Sequence, residues 1–430
     1  MTADAPYEAN SAGFSTLALS DWRQFGDISL AFHPRLTVLT GANATGKSTI
    51  LGILARHFDW IHPFSTSPVR TRSKSGEWIS VGRRRAKRMS RQPGWAEVGT
   101  LTYRSDKSTA IAVPLEVQAN LSSQYDLLMP DQQEVAGAFI SSHRAASGSY
   151  SPVQSIPTAA ANADLLFDSL TNEIRARWAG TWTGKTPQLV LKESIMAAAV
   201  FGSGPGHDSL SYNPTIHNLW TEFGVVLRTV LPASLRFRRI VVRTPDVVLE
   251  TDSGDFVLDE ASGGIMSIIE MAWQILLRSH GSSATFTVLL DEPENHLHPS
   301  LQREMLPSFL RAFPQVQFIV ATHSPFVVTA TPASTVYALD YNERQQVVSR
   351  VLDYSNKAAS AEETLKNVLG LHSTAPTWAE SAYQTILARY AGELSPQRLS
   401  LLREEMTQIG LVKNFPEAVV DLAHPENLES

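Results

Sequence analysis

The sequence predicts an α/β fold: a mixed sheet core with a helical insertion and a small C-terminal helical region. Three observations lead there. Leu36 to Thr40 is a more uniformly apolar run than the strands before it and passes through a glycine turn into the stripe Ile50, Leu51, Leu54 and Phe58, the pattern of a buried strand feeding a helix. Thr285 to Leu290 and Val316 to Ala321 repeat the strand signature, with a helix opening at Pro299 between them, and that order implies parallel pairing. Between these stretches, helical periodicity covers residues 162–178, 186–201 and 215–231.

The remaining elements follow in order. Residues 1–12 read as a lead-in, after which Leu17 and Leu19, then Ile28, Leu30 and Phe32, alternate as half-buried strands. Val98 to Tyr103 and Thr109 to Val113 form a hairpin around Arg104 to Ser108, and 141–160 is a Ser-, Ala- and Pro-rich loop. Leu235 to Val242 and Val247 to Thr251 are strands, and Ile265 to Arg278 is helical. After residue 335 come a hairpin and about three helices, one capped by Ser395, with Pro396 in its first turn and Gly410 at its end. The expected division is 1–160 and 235–335 as two halves of one core domain, 161–234 as the insertion, and 336–430 as the tail.

Composition sets limits. Hydrophobic residues make up 43% and charged residues 18% of the chain, enough for a large core. A net charge of −6 argues against a general polyanion binder. Cysteine is absent, which excludes disulfides and thiolate metal sites and fits a cytoplasmic protein. Met1 to Phe14 has no basic segment followed by an apolar run, so no secretory leader is expected. No stretch nears the ~20 apolar residues of a membrane span; the longest, Gly264 to Leu277, carries Glu270 and Gln274.

Two motifs carry the chemistry. Gly41, Ala42, Asn43, Ala44, Thr45, Gly46, Lys47 and Ser48 satisfy G-x-x-x-x-G-K-[ST], and Thr49 continues into the helix. A strand before and a helix after this loop turn successive amides toward one concavity, where phosphate is stabilised. Lys47 is expected at the β- and γ-phosphates of ATP and Ser48 on Mg²⁺. A second string, Gly184-Lys185-Thr186, lacks both the leading strand and the first glycine, since Ala179 stands there, and reads as an ordinary loop. The other motif ends the strand Thr285 to Leu290: Asp291 is expected to hold Mg²⁺ and Glu292 to polarise the attacking water.

Three further segments complete a pattern: Ala261-Ser262-Gly263-Gly264 opening a helix, Pro293 to Pro299 behind the acids, and Ala321-Thr322-His323-Ser324-Pro325 closing the next strand. With the phosphate loop, these resemble the ABC-type ATPase superfamily, a P-loop NTPase fold, and most resemble its soluble OLD-family, RecF and SMC-type branch. The resemblance covers residues 14–60 and 255–328. It implies that Ser262, Gly263 and Gly264 cap the γ-phosphate bound by another subunit, giving a homodimer or larger homo-oligomer. It also implies that His323 senses that phosphate as a catalytic group beside Glu292 and Lys47. Ile265 stands where transporters usually have Gln. His296 and His298 suit capping or packing better than metal binding. The glutamine loop of the family is not evident; Gln118 and Gln124 are candidates. Phe139 to Arg144 reads as a strand ending in a base that faces either a phosphate or solvent.

Within that superfamily, 213 residues separate Ser48 from Ser262, too many for a transporter subunit. The 107 residues after His323 hold no Glu-Gly followed by Asp-x-Asp; Asp340, Asp353 and Asp421 are scattered, so no nuclease activity is expected in this chain. Residues 160–235 are too short and too broken by Gly204, Pro205 and Pro214 for a long coiled coil. What remains resembles the stand-alone ATPases of bacterial phage defence, which hold or gate a separate effector such as a nuclease or toxin. The alternative is RecF-like DNA maintenance. It draws on Arg70 to Arg91, where nine bases and one acid give +8 and leave −14 for the rest of the chain. Trp78 and Trp95 would stack on bases there, or merely pack.

Overall fold

The computed structural model describes residues 13–61, 63–66, 68–70, 78–80, 87–88, 93–114, 123–144, 150–156, 162–181, 183–202, 212–281, 285–353, 358–371, 376–392 and 395–423. Most of the basic segment from Arg70 to Arg91, and Gln118, lie outside these residues. The chain divides into two units, residues 1–364 and 365–430.

In the first unit, β1 (Phe14–Trp22) and β2 (Phe25–Ala31) form an antiparallel pair whose alternating residues are buried. β3 (Leu36–Gly41) is buried at every position and leads into α1 (Lys47–Ala55), where Ile50, Leu51 and Leu54 are fully buried. β4 (Trp95–Tyr103) and β5 (Ser108–Pro114) form the expected hairpin, and β6 (Gly137–Ile140) follows. The helical periodicity becomes α2 (Ala163–Trp178), α3 (Pro187–Phe201) and α4 (Pro214–Val230), close to the predicted spans. Asn162, Thr186 and Asn213 cap them, satisfying first-turn amides that would otherwise lack partners.

An antiparallel pair, β7 (Phe237–Arg243) and β8 (Asp246–Thr251), precedes α5 (Gly263–Ser279), which Ser262 caps. β9 (Phe286–Asp291), α6 (Pro299–Ala312) and β10 (Val316–Ala321) complete the strand–helix–strand unit. β11 (Thr335–Tyr341) and β12 (Val347–Val351) are the hairpin read after residue 335.

These strands build one sheet in the order β6–β9–β10–β3–β11–β12–β2–β1–β4, with β5 on β4. β6, β9, β10, β3 and β11 pair in parallel with one another, β11 and β12 pair antiparallel, β12 meets β2 in parallel, and the β1–β2–β4–β5 half is antiparallel. All six residues of β9 and of β10 are buried, as parallel strands covered on both faces require. The carboxyl ends of β3, β9 and β10 share one edge, the place where open α/β sheets receive ligands.

The second unit contains α7 (Thr377–Tyr390), α8 (Pro396–Gln408) and α9 (Phe415–Ala423). Its own core includes Ile386, Leu387, Leu402, Met406 and Leu422.

Candidate active site

The loop after β3 takes a path that few residues tolerate. Gly41 has φ +139° and Gly46 φ +93°, both in the region that favours glycine. A Cβ on Gly41 would lie 2.3 Å from the Leu339 carbonyl oxygen, and one on Gly46 would lie 2.5 Å from Phe25 Cζ. Ala44 is also left-handed, at φ 65°. Gln24 and Tyr341 donate to the Ala44 carbonyl at 3.5 and 3.1 Å, and Thr45 donates to that of Ala42 at 2.9 Å. Such a turn at the start of a helix exposes amides to an anion.

Lys47 is buried and folds back, donating to the carbonyls of Gly41 at 3.0 Å and Ala42 at 2.9 Å. Burial pulls its pKa down to about 8, against the pull of Glu292, Asp291 and Glu294. Ser48 Oγ donates to Asp291 Oδ1 at 3.0 Å, joining residues 243 positions apart. Asp291 is buried, and desolvation pushes its pKa up to about 6, helped by Glu292 and Glu294 and opposed by Ser48 and Lys47. A carboxylate beside a hydroxyl, crowded by two more acids, is an oxygen donor set that suits a divalent cation. Mg²⁺ characteristically takes one or two carboxylates and fills its remaining positions with phosphate and water. The residues present therefore fit both groups that the sequence implies.

Glu292 leaves β9 with φ 46°, unusual for a non-glycine residue. Its amide donates to the Ala321 carbonyl at 2.9 Å, and its Oε2 accepts from Asn295 Nδ2 at 3.1 Å. Its Oε1 lies 3.7 Å from His323 Nε2. Desolvation lowers the His323 pKa and Lys47 adds to this; Glu292, Glu294 and the ring's bond to the Gly41 backbone oppose it. Asn43, Ala44, Gly46, Lys47, Ser48, Thr49, Glu292 and His323 line one cavity of about 610 Å³, with Arg23 and Gln24 from the β1–β2 turn. Thus Lys47, Ser48, Glu292 and His323 come together there, and Asp291 joins through Ser48.

Other candidates lie elsewhere. Ser262 is exposed and accepts from the Ile265 amide at 3.4 Å; neither it nor Gly263 and Gly264 lines this cavity. Gly264 packs so tightly that an added Cβ would sit 3.0 Å from the His296 carbonyl oxygen. His298 caps α6. Lys185 pairs with Glu193 at 2.6 Å and Thr186 caps α3, so the second glycine–lysine–threonine string is structural.

Gln124 pairs in register with Ser65, on a separate two-stranded sheet. The position beside the Asp291 strand belongs instead to Ser141–Arg144, at the end of β6. Arg144 turns out to face neither solvent nor the phosphate loop. It is 8% exposed, and its Nη2 donates to the Glu292 carbonyl at 2.6 Å. Sequence reading found the strand and the base but had no means of assigning that partner. A second cavity, of about 400 Å³, is also lined by Ser48 and Asp291, together with Trp60, Phe139, His143 and Arg175.

A family described as "AAA domain, putative AbiEii toxin, Type IV TA system" matches residues 234–329, the stretch that holds Ser262, Asp291, Glu292 and His323. The Septu protein PtuA of Bacillus thuringiensis is 28% identical over 166 residues, 35% of this chain and 42% of that protein. The "Retron Ec83 probable ATPase" of Escherichia coli is 30% identical over 106 residues, 25% of this chain and 18% of that protein. The matched stretches thus span less than half of these relatives' length. A solved SMC head bound to the C-winged helix domain of ScpA aligns with a TM-score of 0.44 at 13% identity, over 80% of this chain and 98% of that one. The phosphate loop, the carboxylate pair and the AAA-domain match over residues 234–329 make the chain similar to ABC-type ATPases of defence systems.

Proposed function

We propose that the chain binds Mg-ATP in the cavity of about 610 Å³ and hydrolyses it, that two copies close around the nucleotide, and that this cycle gates a separate effector, a nuclease or toxin, in cytoplasmic phage defence. The observation that carries the reading is the joining of Ser48 to Asp291 at 3.0 Å in a site where Lys47, Glu292 and His323 face one space. When bound, Mg²⁺ neutralises phosphate charge. Ser48 and Asp291 would hold it. Lys47 exchanges its two loop carbonyls for the β- and γ-phosphates. Glu292 orients and polarises water, a role worth about 10²–10⁴ in rate. His323, 3.7 Å away, completes the wall around the γ-phosphate. Exposed Ser262, at the N-terminus of α5, offers a hydroxyl, amides and a helix dipole to the phosphate of a second copy.

The effector half of the proposal is supported by relatives named for Septu and retron systems and by a family description that names a toxin. We propose no nuclease centre in this chain. Among the described residues, no helix is long and apolar enough to cross a membrane. The test is Glu292→Gln: ATP cleavage should fall about 10²–10⁴-fold, with an ATP-bound dimer accumulating in sedimentation. Hydrolysis at the wild-type rate would remove the assignment.

A further inference from the structure

Behind Glu292 and His323 stand two buried side chains of opposite charge, and neither lines the cavity. Arg144, 8% exposed, donates through Nη2 to the Glu292 carbonyl at 2.6 Å and through Nη1 to the Ser141 carbonyl at 3.5 Å. Glu294, 9% exposed, gathers three donors on Oε1: Thr322 Oγ1 at 2.6 Å, the His323 amide at 2.9 Å and the Ser324 amide at 3.2 Å.

Each contact fixes a reacting group rather than a distant fold element. The left-handed backbone of Glu292 costs about 1–2 kcal/mol and persists only while its surroundings hold it. Both of its peptide groups are held: the amide by the Ala321 carbonyl and the carbonyl by Arg144. Without Arg144, the residue is free to relax toward an ordinary conformation, which turns the carboxylate away from the γ-phosphate position. The Glu294 carboxylate wraps the turn after β10 around one oxygen and sets where the His323 ring begins. The pair is not arranged for stability alone. Arg144 Nε and Glu294 Oε2 are buried without partners among the described residues, and unsatisfied buried groups cost stability.

We infer that Arg144 and Glu294 are positioning residues for ATP cleavage: Arg144 locks the Glu292 backbone so that its carboxylate meets the attacking water, and Glu294 locks the His323 turn opposite. This rests on the proposed role of Glu292.

The test is a double-mutant cycle read by single-turnover ATP cleavage, with ATP affinity measured separately. Arg144→Met should slow cleavage about 10²-fold, the penalty of misplacing a reacting group by about an ångström, and change affinity by less than about twofold. Arg144→Lys keeps a cation and a donor and should recover about tenfold of that loss. In a Glu292→Gln background, Arg144→Met should cost nothing more, because the group it aims is already disabled. Glu294→Gln keeps an acceptor and should lose about tenfold; Glu294→Ala should lose more. Additive losses in the cycle, or affinity falling in step with rate, would overturn the inference. If Arg144→Met does not fold, Arg144→Lys decides, and a wild-type rate in that variant refutes it. Wild-type cleavage by Glu292→Gln alone would instead remove the reading underneath.

Discussion

Replacing Asp291 with Asn should make the nucleotide-free protein more stable and abolish the extra stability conferred by Mg-ATP. Asp291 is 7% exposed, and its pKa is pushed from an ordinary 3.8 up to about 6, first by burial and then by Glu292 and Glu294. A carboxyl that binds its proton more tightly when folded than when unfolded penalises the fold once that proton is lost. The penalty is absent below about 4, grows as pH rises to about 6, and is complete above that. At 1.36 kcal/mol per tenfold change it reaches about 3 kcal/mol. Sharing among three neighbouring acids makes about 1–3 kcal/mol the expected gain for Asn, which keeps an oxygen for Ser48. At roughly 2 °C per kcal/mol for a large folded unit, the melting point should rise by about 2–6 °C. The assay is thermal unfolding in EDTA without nucleotide at pH 7, repeated toward pH 4, where the difference should vanish. Mg-ATP at 100 times its Kd should then add about 2.7 kcal/mol to the wild type and little to the variant, reversing their order. An Asn variant that melts below wild type at pH 7 without Mg-ATP would refute the reasoning.

Three other outcomes are expected. Gly46→Ala forces a side chain into φ +93° with Phe25 Cζ at 2.5 Å; it should cost about 2–4 kcal/mol and most ATP affinity, measured by thermal unfolding and ATP titration. His57 donates from Nδ1 to the Leu54 carbonyl at 3.0 Å and accepts at Nε2 from Tyr103 at 2.8 Å, a neutral ring whose pKa burial lowers to about 4. Its contribution should be complete above about 6.5 and be lost as pH falls toward 4, by at most about 3 kcal/mol. His57→Phe should flatten that part of a urea-unfolding profile against pH. Ser262→Arg should abolish ATP-driven dimerisation in sedimentation while leaving ATP binding by the monomer intact; wild-type dimerisation by this variant would exclude Ser262 from the interface.

What was legible in the sequence follows from which forces act locally. Leu36 to Thr40 and Thr285 to Leu290, rich in apolar residues and free of charge, marked buried parallel strands, because burial on both faces leaves little polar alternation to confuse the reading. Helical periodicity over 215–231 marked α4 within one continuous stretch, whereas Pro214, read as a break, is the first residue of that helix. The phosphate loop was legible because its constraints lie within eight consecutive residues. Partners far apart in sequence were not. Nothing near Arg144 indicates that its guanidinium reaches the carbonyl of a residue 148 positions later, and nothing near Glu294 shows that its carboxylate holds the turn at His323. Likewise, no local signal in Thr335 to Tyr341 reveals parallel pairing with β3, which brings Tyr341 onto the phosphate loop. Gln124 suggested itself by residue type alone, and only strand order shows that Ser141–Arg144 stand beside Asp291.

The chain contains two glycine–lysine–hydroxyl strings, and only one lies at a sheet edge opposite Asp291 and Glu292. Calorimetric titration of Mg-ATP into the full chain, comparing Lys47→Ala with Lys185→Ala, tests that geometry most directly. Removing Lys47, a buried cation proposed to contact the phosphates, should weaken binding by at least about 30-fold, whereas Lys185→Ala should bind as wild type does. Wild-type affinity in Lys47→Ala, or its loss in Lys185→Ala, would contradict a triphosphate held between β3 and β9.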